Sequence, residues 1–207
     1  MRHGLSLVLV VVTIFLPAKV WAQSLRAGAA LIHAEGKLQL NDQVVETLTT
    51  PLDLPDSVVL RASQGRAVIA LKRGGFLFLD SGSSVRVLGN GVYNFNRIDV
   101  LTGSAIVLSE TSAPLVSCEI EIRLSDAGVF RFDVQQGSSA GERYCQSRVF
   151  EGAAAVPLVT VTIVLRAGQT MKCNRRCGDM VPTMAFPREQ LDDFDRWASG
   201  QRARLAK

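Results

Sequence analysis

The sequence predicts an all-β fold, either a β-roll or short solenoid or a sandwich of many short strands, with one C-terminal α-helix. Three observations carry this. Apolar and polar residues alternate in several short segments, the period of a half-buried strand. Glycine recurs just ahead of such segments. Only near the end does the pattern change to helical spacing, in "REQLDDFDRWASGQRARLAK".

Taken in chain order, the first segment stands apart from the fold. Arg2 and His3 make a basic head, "LSLVLVVVTIFL" (5–16) is apolar apart from Ser6 and Thr13, and Val20-Trp21-Ala22 offers small residues where a signal peptidase reads. Residues 1–22 are therefore expected to be a secretory signal peptide cleaved after Ala22. The alternative, a retained anchor, fits less well because a span needs about 20 apolar residues. Cleavage removes Arg2 and Lys19 from the 23 basic residues, leaving 21 against 19 acidic ones, a net charge near +2. No basic stripe interleaved with aromatics remains, so nucleic acid is not an expected partner. No later run approaches membrane-spanning length, and the expected location is secreted and periplasmic.

Short β-rich stretches follow: "AVIAL" (67–71), "FLFL" (76–79), "VRVL" (85–88) and "AIVL" (105–108). In "EIEIRL" the residues Ile120, Ile122 and Leu124 oppose Glu119, Glu121 and Arg123. In "VFRFDV" the residues Phe130, Phe132 and Val134 oppose Arg131 and Asp133. Each reads as a strand with one wet face. "VTVTIVL" (159–165) is a further strand with its threonines outward. "HAEGKLQL", "LTGSAIVL" and "FEGAAAVPL" place glycine about two residues before a strand, a weak repetition that suits stacked β-turns or a sandwich whose strands start after glycine turns. In the tail, Pro187 suits a first helical position. Acidic Glu189, Asp192 and Asp193 precede basic Arg202, Arg204 and Lys207, as the helix dipole favours. Phe194 and Trp197 are expected to dock this helix on the β-domain, and Gly200 to weaken its last turn. The expected division is a signal peptide over 1–22, a β-domain over 27–172, a disulfide turn and linker over 173–186, and a docking helix over 187–207.

The mature chain keeps Cys118, Cys145, Cys173 and Cys177. An even number behind a signal peptide favours disulfides, with three connectivities open. The hairpin-like segment between Cys118 and Cys145 would let these two meet at one end of a sheet, which leaves Cys173 and Cys177 to pair across "CNRRC". Two sharper readings compete. Arg175 and Arg176 would lower a thiol pKa in a redox centre at Cys173 and Cys177, but the spacing is not C-x-x-C and no βαβ pattern precedes it. A zinc site on all four cysteines would need reduced thiols in an oxidising compartment.

Other chemistry is thin. His33 is the only histidine left after cleavage and forms no metal site alone. "FLFLDSGSSVRV" resembles the active-site loop of aspartic peptidases, in which two aspartates share a proton; Asp80 would need a second copy of the chain. The ordinary reading is a polar hairpin tip. Arg166, Lys172, Arg175 and Arg176 form a small basic group that reads as solvated surface, with an acidic polysaccharide or phospholipid as the sharper alternative. No P-loop, dinucleotide-binding, zincin or calcium-loop pattern is present, and no cofactor is expected.

"RAVIALKRGGFLFLDSGSSVRVL", "IDVLTGSAIVLSE", "LSDAGVFRFDV", "RVFEGAAAV" and "LRAGQTM" occur in this order. Together they resemble the FecR-type domain, a periplasmic sensor domain first described in ferric citrate regulation. The closing "FDRWASGQRARLA" resembles the tail of secreted FecR-like proteins. Coverage is roughly 30–205, and Val129 departs from the pattern by standing between the glycine and the first aromatic. The resemblance implies an all-β, non-enzymatic interaction domain. In sensor members this domain takes a signal from an outer-membrane transporter and passes it to a cytoplasmic sigma factor. Here no anti-sigma segment precedes it, so the domain is expected without that role. The expected function is a secreted binding module contacting an envelope protein or polysaccharide. The alternatives are a homodimeric aspartic peptidase at Asp80 and a thiol oxidoreductase at Cys173 and Cys177.

Overall fold

The computed structural model describes residues 28–45, 48–72, 74–89, 97–111, 115–137, 139–174, 183–187 and 189–206. The signal-like segment, Arg175, Arg176 and Cys177 lie outside the described residues. The chain is mostly β with one C-terminal helix. In order, the strands are β1 (Ala29–Leu40), β2 (Gln43–Val45), β3 (Leu52–Leu54), β4 (Ser57–Leu71), β5 (Gly75–Leu79), β6 (Ser83–Leu88), β7 (Arg97–Ser109) and β8 (Leu115–Cys118). They continue with β9 (Ile120–Leu124), β10 (Gly128–Gln136), β11 (Arg143–Glu151), β12 (Ala153–Pro157), β13 (Thr162–Arg166), β14 (Gln169–Cys173) and β15 (Thr183–Ala185), before helix α1 (Asp193–Leu205).

Pairing shows one sheet folded into two layers. β1 and β4 pair antiparallel from Ala29↔Leu71 to Leu40↔Leu60. β5 pairs with the C-terminal half of β4 and the C-terminal half of β7. β6 pairs with the other half of each. β5 and β6 are thus two halves of one bent strand, and residues 80–82 are its bend, not the hairpin tip expected from "LDSGSS". The first layer runs β3-β1-β4-β5-β7-β10-β11-β14-β15 and the second β2-β1-β4-β6-β7-β8-β9-β12-β13, with β1, β4 and β7 passing through both. Strands expected to be brief are therefore 12 to 15 residues long where they serve two layers.

Glycine explains the fold. Gly36 lies opposite Gly65, at the crossing from one layer to the other, and a Cβ on Gly36 would stand 1.9 Å from the Gln64 carbonyl oxygen. The bend at 80–82 and Gly103 continue this seam across β5/β6 and β7. The later crossings, β9 to β10, β11 to β12 at Gly152 and β13 to β14, lie at the opposite ends of the first-layer strands. The recurring glycine marks layer crossings, not stacked turns. It also means that β9 and β10, read as a hairpin, lie in different layers and pair with other strands.

Between the layers lies one core. Leu31, Ile69, Leu77, Val107, Phe130 and Val149 from the first layer join Leu38, Leu60, Val85, Ile98, Val116 and Ile122 from the second. Cys118, at the end of β8 in the second layer, is bonded to Cys145 of β11 in the first, with Cα atoms 5.4 Å apart. This bridge sits on the side where the later strands have no covalent crossing of their own. Its 27-residue separation corresponds to roughly 3–4 kcal/mol of chain entropy. It also excludes a four-cysteine zinc site. Cys173, in register with Cys145, is disulfide-bonded too.

Three boundaries differ from expectation. β13 starts at Thr162, because residues 158–161 form a turn closed by the Leu158 N–H to the Val161 carbonyl, 2.8 Å. The expected linker over 173–186 contributes β15, which pairs with β14. The helix starts at Asp193, later than Pro187, because Asp192 caps it.

Candidate functional site

The two outer faces of the folded sheet differ, and the difference defines the site. On the first layer, Val68, Ala70, Phe76, Phe78 and Ile106 point outward and are buried under Phe194 and Ala198 of α1. Both faces of "AVIAL" and "FLFL" are covered, which is why these strands are apolar at every position. Trp197 meets Phe78 edge-on at 6.2 Å and stacks on Phe194 at 6.0 Å, as its expected docking role requires.

Charge pins the same helix. Asp192 and Asp195 form a reciprocal capping box: the Asp195 N–H donates to Asp192 Oδ1 at 2.9 Å, and the Asp192 N–H to Asp195 Oδ2 at 3.2 Å. Arg131 Nη1 reaches both carboxylates, at 2.6 Å for Asp192 and 2.7 Å for Asp195. Its Nε donates to Asp133 at 2.9 Å. Asp133 also accepts from Arg148 at 2.8 Å and from the Ser104 hydroxyl at 2.6 Å. Arg131 and Asp133, expected on a wet face, are 5% and 6% exposed, because α1 lies over them. Burial alone would lower the Arg131 pKa, but Asp133 and Asp195 outweigh it and push it up. Arg66 stands beside this group, donating to Asp80 at 2.8 Å and Asp193 at 3.2 Å, with its guanidinium 5.3 Å from the Trp197 ring centre. Capping and docking therefore use the same carboxylates, so the start of the helix is fixed by the strand beneath it.

This network was the part that sequence reasoning missed. Its available signal was an acidic, aromatic helix start that needs a basic landing strip, which Arg66 and Arg131 supply. The singled-out residues lie elsewhere in role. Asp80 accepts from Arg66 Nε at 2.8 Å, so the partner the fold gives it is a cation and not a second acid. His33 Nε2 lies 2.9 Å from Glu35 Oε1, which also accepts from Trp197 Nε1 at 3.0 Å. Among the described residues no group of three or more His, Cys, Asp or Glu is placed to hold a metal ion, and no helix is long and apolar enough to cross a membrane.

Acid should release the helix before it unfolds the sheet. Burial would raise the Glu35 pKa, but hydrogen bonds from His33 and Trp197 hold it below its ordinary value. Burial acts the same way on Asp192, and the Asp195 backbone and Arg131 outweigh it. Because both folded-state values are depressed, their contribution is complete above the unfolded values near 4 and is lost as pH falls through the folded ones. In a chain lacking 1–22, emission from Trp197 should stay constant down to about pH 5 and shift red only below about pH 4. A shift that coincides with loss of the β-sheet circular dichroism would show that the helix has no separate acid transition.

The second layer presents a different outer face. Its outward strand positions include Lys37, Arg61, Arg86, Arg97, Arg123 and Arg166, all exposed, against Asp99 and Glu121 as the acids on the same strands. Arg97 and Arg86 share Asp99, at 2.8 and 3.8 Å, and Arg123 pairs with Glu121 at 3.1 Å. The small basic group expected around "CNRRC" thus contributes Arg166 to a broader basic face. Val44, on β2, and Val164, on β13, are exposed at its two edge strands (54% and 46%). No helix of the described residues lies over this face.

No protein-family model matches the chain, and no curated protein matches it either. Solved structures similar to it include two crystal structures of a candidate anti-sigma factor from Parabacteroides distasonis, at 2.50 and 1.65 Å resolution. Identity is 12% and 10%, and the TM-scores are 0.49 and 0.48. Each alignment covers 63% of this chain and 59% of the solved one, so the chain spans about three fifths of the length of those structures.

Proposed function

We propose that this chain is a non-catalytic binding module of the FecR type, working outside the cytoplasm after removal of residues 1–22. In this reading it attaches to a component of the cell envelope through the outer face of the second layer. The single observation that carries it is the unequal treatment of the two faces. The fold uses its only described helix to cover the first, and leaves arginines standing exposed across the second. The Cys118–Cys145 bridge supports an oxidising compartment, and a local Cys173–Cys177 staple belongs to the same reading. The ordered motifs from "RAVIAL" to "LRAGQTM" support the family.

The test is co-sedimentation of the mature protein with washed envelope fragments of the cells that produce it. Binding should be lost in an Arg61→Ala/Arg123→Ala variant and kept in Arg196→Ala/Arg204→Ala, which removes two helix cations. No sedimentation of the native protein, or equal sedimentation of both variants, would overturn the reading.

A further inference from the structure

We infer that the basic face of the second layer is a binding strip for a linear polysaccharide carrying carboxylates, a uronic-acid polymer. This rests on the binding-module reading and names the partner of the same face.

Charge is the first argument. Six exposed cations and two acids occupy the outward strand positions of this layer. Asp99 and Glu121 are already taken by Arg97 and Arg123. Lys37, Arg61 and Arg166 make no ion pair with any described residue. A nearly balanced chain has thus gathered an unneutralised excess on one surface, where it attracts a polyanion.

Spacing is the second. Register places Arg97 opposite Leu115 and Leu115 opposite Arg123, so these arginines stand two strands, about 10 Å, apart. Arg61 faces Ser84, two residues from Arg86, which puts Arg61 and Arg86 about 8 Å apart on neighbouring strands. Beyond Arg123, β12 and β13 carry the row on to Arg166. The cations form a strip about 30 Å long across the strands. That shape fits an extended chain with an acidic group at intervals.

The chemistry of the face decides between polyanions. None of the described aromatic residues lies on its strand positions, so it offers no stacking platform for bases. Its exposed large apolar residues stand at the edge strands and not at the centre, whereas a protein interface buries an apolar or aromatic centre. Five of the six cations are arginine, whose planar fork grips a carboxylate side-on. The face already pairs arginine with carboxylate through its own acids, Arg97 Nε with Asp99 Oδ1 at 2.8 Å and Arg123 Nη2 with Glu121 Oε1 at 3.1 Å.

The experiment measures binding of the mature protein to polygalacturonate at about physiological salt, with neutral dextran and a phosphomannan as parallel probes. Polygalacturonate should bind and dextran should not. Affinity should fall by at least about tenfold between 50 and 200 mM salt, as for other multivalent ion contacts. Arg61→Ala/Arg123→Ala should weaken it about tenfold or more while leaving thermal unfolding unchanged, and Arg196→Ala/Arg204→Ala should change it less than about twofold. Equal binding by the two double variants overturns the assignment of the site. Binding of phosphomannan without polygalacturonate overturns the carboxylate. If envelope fragments still sediment the protein through this face and polygalacturonate does not bind, the glycan falls and the binding-module reading stands. If neither binds, both fall.

Discussion

Replacing Arg131 with alanine is expected to cost about 3–5 kcal/mol and to lower the melting temperature by roughly 10–15 °C. The cause is what the substitution leaves behind. Asp195 is 4% exposed, and its other partner is the backbone N–H of Asp192. Without the guanidinium it becomes a buried carboxylate with no counter-charge, a state more costly than losing a contact. Asp133 suffers less, because Arg148 and Ser104 still bind it. The arginine also lies 5.4 Å from the Phe194 ring centre, so packing under the helix loosens with it. Arg123→Ala, on the open face, is the control and should fall within about 0.5 kcal/mol of the parent. Thermal melts of the two variants side by side check this. Similar melting temperatures would mean that the network under α1 is wet.

Gly36→Ala should cost about 3 kcal/mol or more. Gly36 has φ +69, where an L-residue alone loses about 1–2 kcal/mol, and the added Cβ would meet the Gln64 carbonyl oxygen at 1.9 Å. That oxygen belongs to backbone, which cannot swing aside as a side chain would. β1 and β4 would have to part where both cross between layers. Gly200→Ala should do the reverse. Nothing lies within 4 Å of the added carbon, and alanine in a helix interior gains about 0.5–1 kcal/mol over glycine. Chemical denaturation of the two variants should therefore move the midpoints in opposite directions. A neutral Gly36→Ala would mean that the crossing tolerates a side chain, and the glycine seam would not be what folds the sheet.

These two sites also show which parts of the molecule could be read from residues alone. Alternation in "EIEIRL" and "VFRFDV" identified inward Ile122, Leu124, Phe130 and Phe132 correctly, because burial at period two is a local property of a strand. The acidic start and aromatic face of the helix were visible for the same reason, at period 3.6. What escaped was anything decided by a distant element. Arg131 and Asp133 have the pattern of a solvated face, and only α1, more than 60 residues later in the chain, makes them buried. The Gly36–Gly65 approach depends on register between two strands, which spacing along one strand does not reveal. The basic face escaped similarly: its arginines come from β4, β6, β7, β9 and β13, and each looks like an ordinary exposed cation until the layer brings them together. The helix start was misplaced because Pro187 is a good first residue in isolation, while the Asp192–Asp195 box is reinforced by Arg131 from the sheet.

The central claim is that the second layer's outer face is the working surface and the helix-covered face is not. The most direct measurement places a photo-crosslinking residue in the protein, at position 61 or 123 in one pair of strains and at 199 or 204 in another, and irradiates intact cells. Adducts of higher mass from 61 and 123, and none from the helix positions, are the result this account predicts. Adducts from 199 or 204 with none from the open face would contradict it, and would move the interaction to the helix side.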